Sequence, residues 1–153
     1  LTPQQLLNTA NRDSVAHQTR DQSCAACHSL INPAGFAFEM FGPFGELRSQ
    51  EAIFDENGDF HRNIALDTKT EVPTFKPKTA QVSDAADLID HIAAEPEGKA
   101  CFTRQMFRIL KERKETANDE CQLEAMYSTV SSGSVVDALA DLIASPSNIR
   151  KQK

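Results

Sequence analysis

Cys24, Ala25, Ala26, Cys27 and His28 form a C-x-x-C-H run, where side chains of reactive type fall at a spacing that specifies a chemistry. Two thiols three positions apart can add to the two vinyl groups on one edge of a porphyrin. The helical turn between them then presents the following imidazole to the iron, with His28 Nε2 as proximal ligand. Three plainer uses of the same residues compete. A thioredoxin-like redox pair needs a βαβ setting, which the flanking sequence lacks. A zinc site needs two further ligands at short spacing, and none stands nearby. A simple disulfide followed by a chance histidine makes no demand on the Gly- and Phe-rich segment that follows. Haem attachment does, because a haem needs an apolar, water-excluding wall. Phe36, Phe38, Phe41 and Phe44 are the residues expected to supply it.

The run Cys24-Ala25-Ala26-Cys27-His28-Ser29-Leu30-Ile31-Asn32-Pro33-Ala34-Gly35-Phe36-Ala37-Phe38-Glu39 resembles the planctomycete-type cytochrome c domains. In those, C-x-x-C-H is followed by Ile-Asp/Asn-Pro-x-Gly-Phe-x-Leu/Phe-Glu, then by a Gly and an Arg, matched here by Gly45 and Arg48. Asp55-Glu56-Asn57-Gly58 resembles the family's Asp-x-x-Gly hairpin. Cys101-Phe102-Thr103-Arg104-Gln105-Met106-Phe107-Arg108 resembles its C-terminal helix. This chain departs from the family at Ile109-Leu110-Lys111-Glu112-Arg113, where the family has Tyr-Ala-Leu-Gly-Arg and only the Arg matches. Cys121 and Ser145-Pro146 match further positions. The resemblance covers about residues 8–150 and implies a monohaem c-type cytochrome module, usually part of a larger secreted protein.

With His28 as one axial ligand, a second side chain would make the iron six-coordinate and an electron carrier, whereas an open site would bind peroxide, oxygen or CO. Met106, on the apolar stripe of a helix, matches a place where Met is common in the resembling family. Met40, beside Gly42 and Pro43, is the alternative sixth ligand. His17, His61 and His91 are the remaining candidates, and Met126 reads as core. Cys101 and Cys121 form a leftover even pair, expected as a disulfide in an oxidising compartment. Two buried free thiols are the other reading.

The elements that must hold these residues read as mostly α. Residues 3–20 are expected as one helix. Asn32 to Arg48 is expected as a short, heavily buried helix flanked by turns, 51–66 as a hairpin on Asn57-Gly58, and 67–82, with Pro73 and Pro77, as a surface loop. A helix then starts at an N-cap, Ser83, buries Leu88, Ile89, Ile92 and Ala93, and stops at Pro96. The next, over 98–114, carries Phe102, Met106, Ile109 and Leu110. The segment 119–130 buries Leu123, Met126 and Val130. Ser134 and Asp137 open a last helix that Pro146 ends. Asp55, Asn57 and Asp59 match the first three positions of a calcium loop. Phe60 then replaces the needed Gly and Leu66 the closing Glu, so a plain turn is the reading. The expected fold is a cytochrome c-like helical domain over 1–153, around one covalent haem, with a small β-hairpin and extra C-terminal helices.

Composition narrows the function classes. Sixteen basic against 22 acidic residues give a net charge of −6. That argues against nucleic acid, whose partners are basic. No Trp and one Tyr make a poor sugar-stacking surface. No apolar run approaches the roughly 20 residues of a membrane span. The sequence begins at Leu1 and is read as a mature chain or a module of a longer one. The functional expectation is a monomeric electron-transfer module, periplasmic or secreted in a bacterium, carrying haem c. Its partner is expected to be an extracytoplasmic redox protein with a basic docking face, one class being an oxidoreductase of polysaccharide breakdown such as a copper monooxygenase. The chain is expected to be a carrier and not an enzyme. The competing class is a haem enzyme or gas- and peroxide-binding protein with an open axial site, and a third is a non-haem module stapled by two disulfides.

Overall fold

The computed structural model describes residues 1–74 and 78–144. Pro77, Ser145 and Pro146 of the sequence expectations lie outside these residues. More than half of the described chain is helical, with two small β-hairpins, so the mostly α expectation holds. Contacts resolve the chain into two compact units, Leu1–His91 and Ile92–Lys153.

The first unit opens with α1 (Pro3–Leu6) and α2 (Asn11–Gln18), where one helix over 3–20 was expected. The break has a local cause. Thr2 and Gln5 form a capping box, and the backbone leaves helical geometry at Ala10, the N-cap of α2. Next, α3 (Gln22–Ala37) runs through the C-x-x-C-H motif and on through Pro33. A proline inside a helix removes the amide that would bond the carbonyl four residues earlier, here that of Ser29. The helix therefore includes part of the stretch expected as turns.

Hairpin β1 (Gln50–Phe54) with β2 (Phe60–Ala65) lies where Asn57-Gly58 predicts it. Gly58 takes φ +83°, a left-handed conformation that suits glycine. Asp55 Oδ1 accepts the amides of Asn57 and Asp59, both at 2.9 Å. Those amides hold its carboxyl below the ordinary value, Asp59 contributing most. The Asp55 carboxylate thus fixes a turn, and among the described residues no group of three His, Cys, Asp or Glu could hold a metal ion.

Residues 67–82 were expected as a surface loop but contain a second hairpin, β3 (Thr70–Pro73) with β4 (Thr79–Val82). Alternate residues Thr70 and Val72, and Ala80 and Val82, are buried, the period of a half-buried strand. Val72, Ala80 and Val82 form the unit's core with Ala37 of α3 and Leu88 of α4 (Ala85–Ala94), and Ala34 packs against it. Each Val or Leu so buried contributes about 1.5–3 kcal/mol. The start of α4 differs by one residue from expectation. Asp84, not Ser83, caps it by accepting the Asp87 amide at 3.0 Å, and Asp87 reaches back to the Ser83 amide at 2.9 Å. Ile89, Ile92 and Ala93, expected in the buried stripe, are exposed.

In the second unit, α5 (Pro96–Lys111) leads through a chain reversal and a 3-10 turn at Ala117–Asp119 into α6 (Glu120–Ser131) and α7 (Val135–Ala144). Pro96 sits in the first turn of α5, where its missing amide costs nothing. Met106, Phe107, Met126 and Leu142 form the core, with Leu123 and Leu139 against it. The buried stripe of α5 is Thr103, Met106 and Phe107, whereas Phe102, Ile109 and Leu110 face outward. Met126 and Val130 are buried, and Ser134 with Asp137 opens α7 as expected.

Glu112 ends α5 at φ +52°, in the left-handed region. Ion pairs hold the reversal that follows, and Arg104 Nε also meets Glu115 Oε1 at 3.1 Å. Arg108 donates to Glu115 through two bonds of 2.7 Å, and Arg113 donates to Asp119 at 2.7 and 2.8 Å. The Arg108 bonds hold the Glu115 carboxyl at about 2, and the Arg113 bonds hold Asp119 well below the usual carboxylate range.

Candidate functional site

Three sides of α3 do different work. Ala34 and Ala37 meet the β3–β4 sheet. Ala25, Asn32 and Phe36 line a groove beside α2, with Ala16, Thr19 and Arg20 across from them. By the 3.6-residue repeat, Cys24, Cys27, Ile31, Gly35 and Phe38 share the remaining side. Cys24, Cys27, Ile31 and Phe38 on that side are all exposed. His28 stands between this stripe and the groove, which it also lines.

The thiols are unbridged, one helical turn apart, and open to reagents from solvent. A Cβ built on Gly35 meets nothing within 4 Å, so the middle of the stripe is flat and open. Downstream, the chain turns back on itself. Phe41 bridges to Leu47, and the Gly42 amide bonds the Glu46 carbonyl at 2.8 Å. This loop carries Phe44, 96% exposed, and Leu47, 69% exposed. Phe38 and Phe41 lie 6.2 Å apart, centroid to centroid, in tilted contact. The segment expected to be heavily buried is so only in part: Ala37 lies in the core with Ala34 against it, whereas Phe38, Phe41, Phe44 and Leu47 form an exposed apolar surface. It is continuous in sequence with a pair of accessible thiols.

His28 has a defined set of partners. Its Nδ1 lies 2.8 Å from Asn32 Oδ1, one helical turn on. Asn32 Nδ2 donates to Thr19 Oγ1 of the segment after α2 at 2.9 Å, and Thr19 Oγ1 donates to the Val15 carbonyl at 2.8 Å. Nε2 of His28 makes no hydrogen bond among the described residues.

The donor set fits a haem: two exposed thiols at the attachment spacing, an imidazole with Nε2 uncommitted, and a flat apolar stripe bounded by Phe38 and the Phe41–Leu47 loop. Phe36, expected in the aromatic wall, faces the groove instead. Its ring lies under the Arg12 guanidinium at 4.9 Å from the centroid. Arg12 also donates to the carbonyls of Asp67 and Lys69 at 2.6 and 2.8 Å, which ties α2 to the strand region.

The other candidates are distributed through both units. Met40 is half-buried at the start of the loop, its carbonyl accepting the Arg48 amide at 2.8 Å. Met106 is 8% exposed within the second unit's core. His17 accepts from Arg20 Nη1 through Nδ1 at 3.2 Å, and the Arg20 charge holds its imidazole below the ordinary value. His61 is exposed on β2 and His91 half-buried on α4. Cys101 and Cys121, expected as a disulfide, are both unbridged and exposed. The reason is helix phase: Cys101 lies off the Thr103, Met106 and Phe107 stripe, and Cys121 lies five residues before buried Met126.

Two relationships escaped the sequence reading. Asn32 carries a faint signal, being four residues after His28, and Thr19 carries none. Arg48 and Glu39 were noted as separate motif positions but not as partners. Arg48 Nη2 meets Glu39 Oε2 at 3.3 Å across the neck of the Phe41–Leu47 loop.

A family model described as PSCyt3, protein of unknown function (DUF1588), matches residues 1–51. The chain is similar to that family over α1 to α3, the C-x-x-C-H motif and the loop closed by Arg48. No curated protein and no solved structure matches the chain. Among the described residues, no helix is long and apolar enough to cross a membrane.

Proposed function

We propose that this chain is a monohaem c-type cytochrome module that passes electrons to or from an extracytoplasmic redox partner. Cys24 and Cys27 hold one haem c through thioether bonds, and His28 binds the iron through Nε2. A bound haem supplies reversible one-electron exchange. The chain's residues do the rest. Ile31, Gly35 and Phe38 would offer the ring an apolar surface, and the Phe41–Leu47 loop would supply Phe44 and Leu47 to exclude water. The observation that carries this reading is the placement of both thiols on the open stripe of α3 with His28 at its margin. The match of residues 1–51 to a family whose name contains "Cyt" supports it.

Met106 is engaged in core packing of the second unit, so Met40 is the sixth ligand that this reading puts forward. The net charge of −6 favours a partner with a basic face, and an oxidoreductase of polysaccharide breakdown is one such class. On this reading, covalent haem attachment suits a module that works in the periplasm or outside the cell.

The test is co-expression with a c-type maturation system. Haem that stays with the polypeptide after denaturation, and is lost in the Cys24→Ala, Cys27→Ala double variant, is the expected result. Purified protein without covalent haem sinks the proposal. Fast CO binding by the reduced protein would instead mark an open axial site and reassign the module to the haem enzymes and sensors.

A further inference from the structure

We propose that Asn32 is a positioning residue for His28, held in that role by Thr19. The inference deepens the haem reading above and rests on it. Thr19 has one hydroxyl proton, and it goes to the Val15 carbonyl at 2.8 Å. Toward Asn32 the hydroxyl can therefore only accept, so the Asn32 group facing it is the amide NH2, at 2.9 Å. The carboxamide oxygen must then face His28, and an oxygen without a proton can only accept. Nδ1 of His28 consequently carries the proton, and the lone pair is left on Nε2. A backbone carbonyl at Val15 thus sets, through two side chains, the tautomer that iron ligation requires.

The same three bonds fix the imidazole plane, because the Asn32 amide is held at both ends. A metal-bound histidine whose distal N–H is bonded is a stronger donor, and such partners orient the ring. Asn32 supplies this with a neutral acceptor. Replacement by aspartate puts an anion of nearly the same shape on the N–H, which favours ferric over ferrous iron.

Two readouts test this. The first is the tautomer of His28, read by long-range proton–nitrogen correlation in the chain produced without haem. The parent should show one tautomer protonated at Nδ1, with Asn32→Leu giving a mixture and Thr19→Val an intermediate result. The second is the midpoint potential of the haem-loaded protein. Asn32→Asp should favour the ferric state about tenfold, which for one electron is ~59 mV lower. Thr19→Val, a smaller perturbation within a helix-to-helix contact, should shift it less. A parent protonated mainly at Nε2, or an Asn32→Asp potential equal to the parent's, overturns the proposal. A chain that never attaches haem overturns the cytochrome reading instead, while the tautomer measurement still decides the hydrogen-bond relay.

Discussion

The Arg48 guanidinium grips Glu39 at two points. Nε donates to its main-chain carbonyl at 3.1 Å and Nη2 to its carboxylate at 3.3 Å. The Glu39 carboxylate also accepts from Asn11 Nδ2 at 3.0 Å, so the neck of the apolar loop is fastened to α2 as well. Arg48→Met keeps the stem length and removes the grip. Amide exchange at Gly42 and Arg48, both bonded within the loop, should accelerate by about tenfold, the scale of one net hydrogen bond. Unchanged protection there would show that the loop holds itself.

Thiol reactivity separates the four cysteines. Cys101 and Cys121 are exposed and unbridged. The native protein should give two alkylated sites at these positions without prior reduction. In the haem-loaded form Cys24 and Cys27 should stay unlabelled, and in the haem-free chain all four should react. Recovery of a Cys101–Cys121 crosslinked peptide contradicts the structure at that point.

Acid should loosen the reversal between α5 and α6. Glu115 has an ordinary carboxyl in the unfolded chain and one held at about 2 when paired with Arg108. A depressed folded value means that the unfolded state binds the proton first. The stability from this pair is therefore full above the unfolded value near 4.5 and is lost as pH falls toward about 2. Asp119 with Arg113 acts in the same direction. Melting midpoints followed from pH 6 downward should fall over that window, and Glu115→Gln should flatten the drop. A midpoint independent of pH in the parent argues against the pairs.

Phe107 is fully buried, and its truncation has a predictable cost. Phe107→Ala should lower unfolding free energy by about 3–5 kcal/mol. Glu112→Gly should act oppositely. Glu112 holds φ +52° without the freedom of glycine, so the substitution should raise stability by about 1 kcal/mol. Denaturant titration of both variants checks the pair of signs.

The sequence was most readable where one short pattern dominates. C-x-x-C-H places both thiols and His28 together on one helix, and Asn57-Gly58 places the first hairpin, because local backbone preferences decide each. The second hairpin was hidden because Pro73 and Pro77 read as loop, and because Val72, Ala80 and Val82 reveal strand character only when their alternation is matched across the pair. Apolar stripes misled in α4 and α5. Ile89 and Ile109 fit a helical repeat but stand exposed, since periodicity gives a face and not what covers it. The Asn32–Thr19 bond joins residues 13 apart, and no local preference records such a contact.

Phe44 and Leu47 lie bare in the unit that also carries the exposed Cys24 and Cys27, and this has a consequence for handling in the cell. Without an attached ring, that unit carries both an adhesive surface and two oxidisable thiols. Both hazards, self-association and wrongful thiol oxidation, end in the same step if a haem is joined there. On the cytochrome reading, attachment is then also the checkpoint that separates finished molecules from those to be cleared. The yield of soluble protein should track cofactor supply more closely than it tracks the stability of the fold.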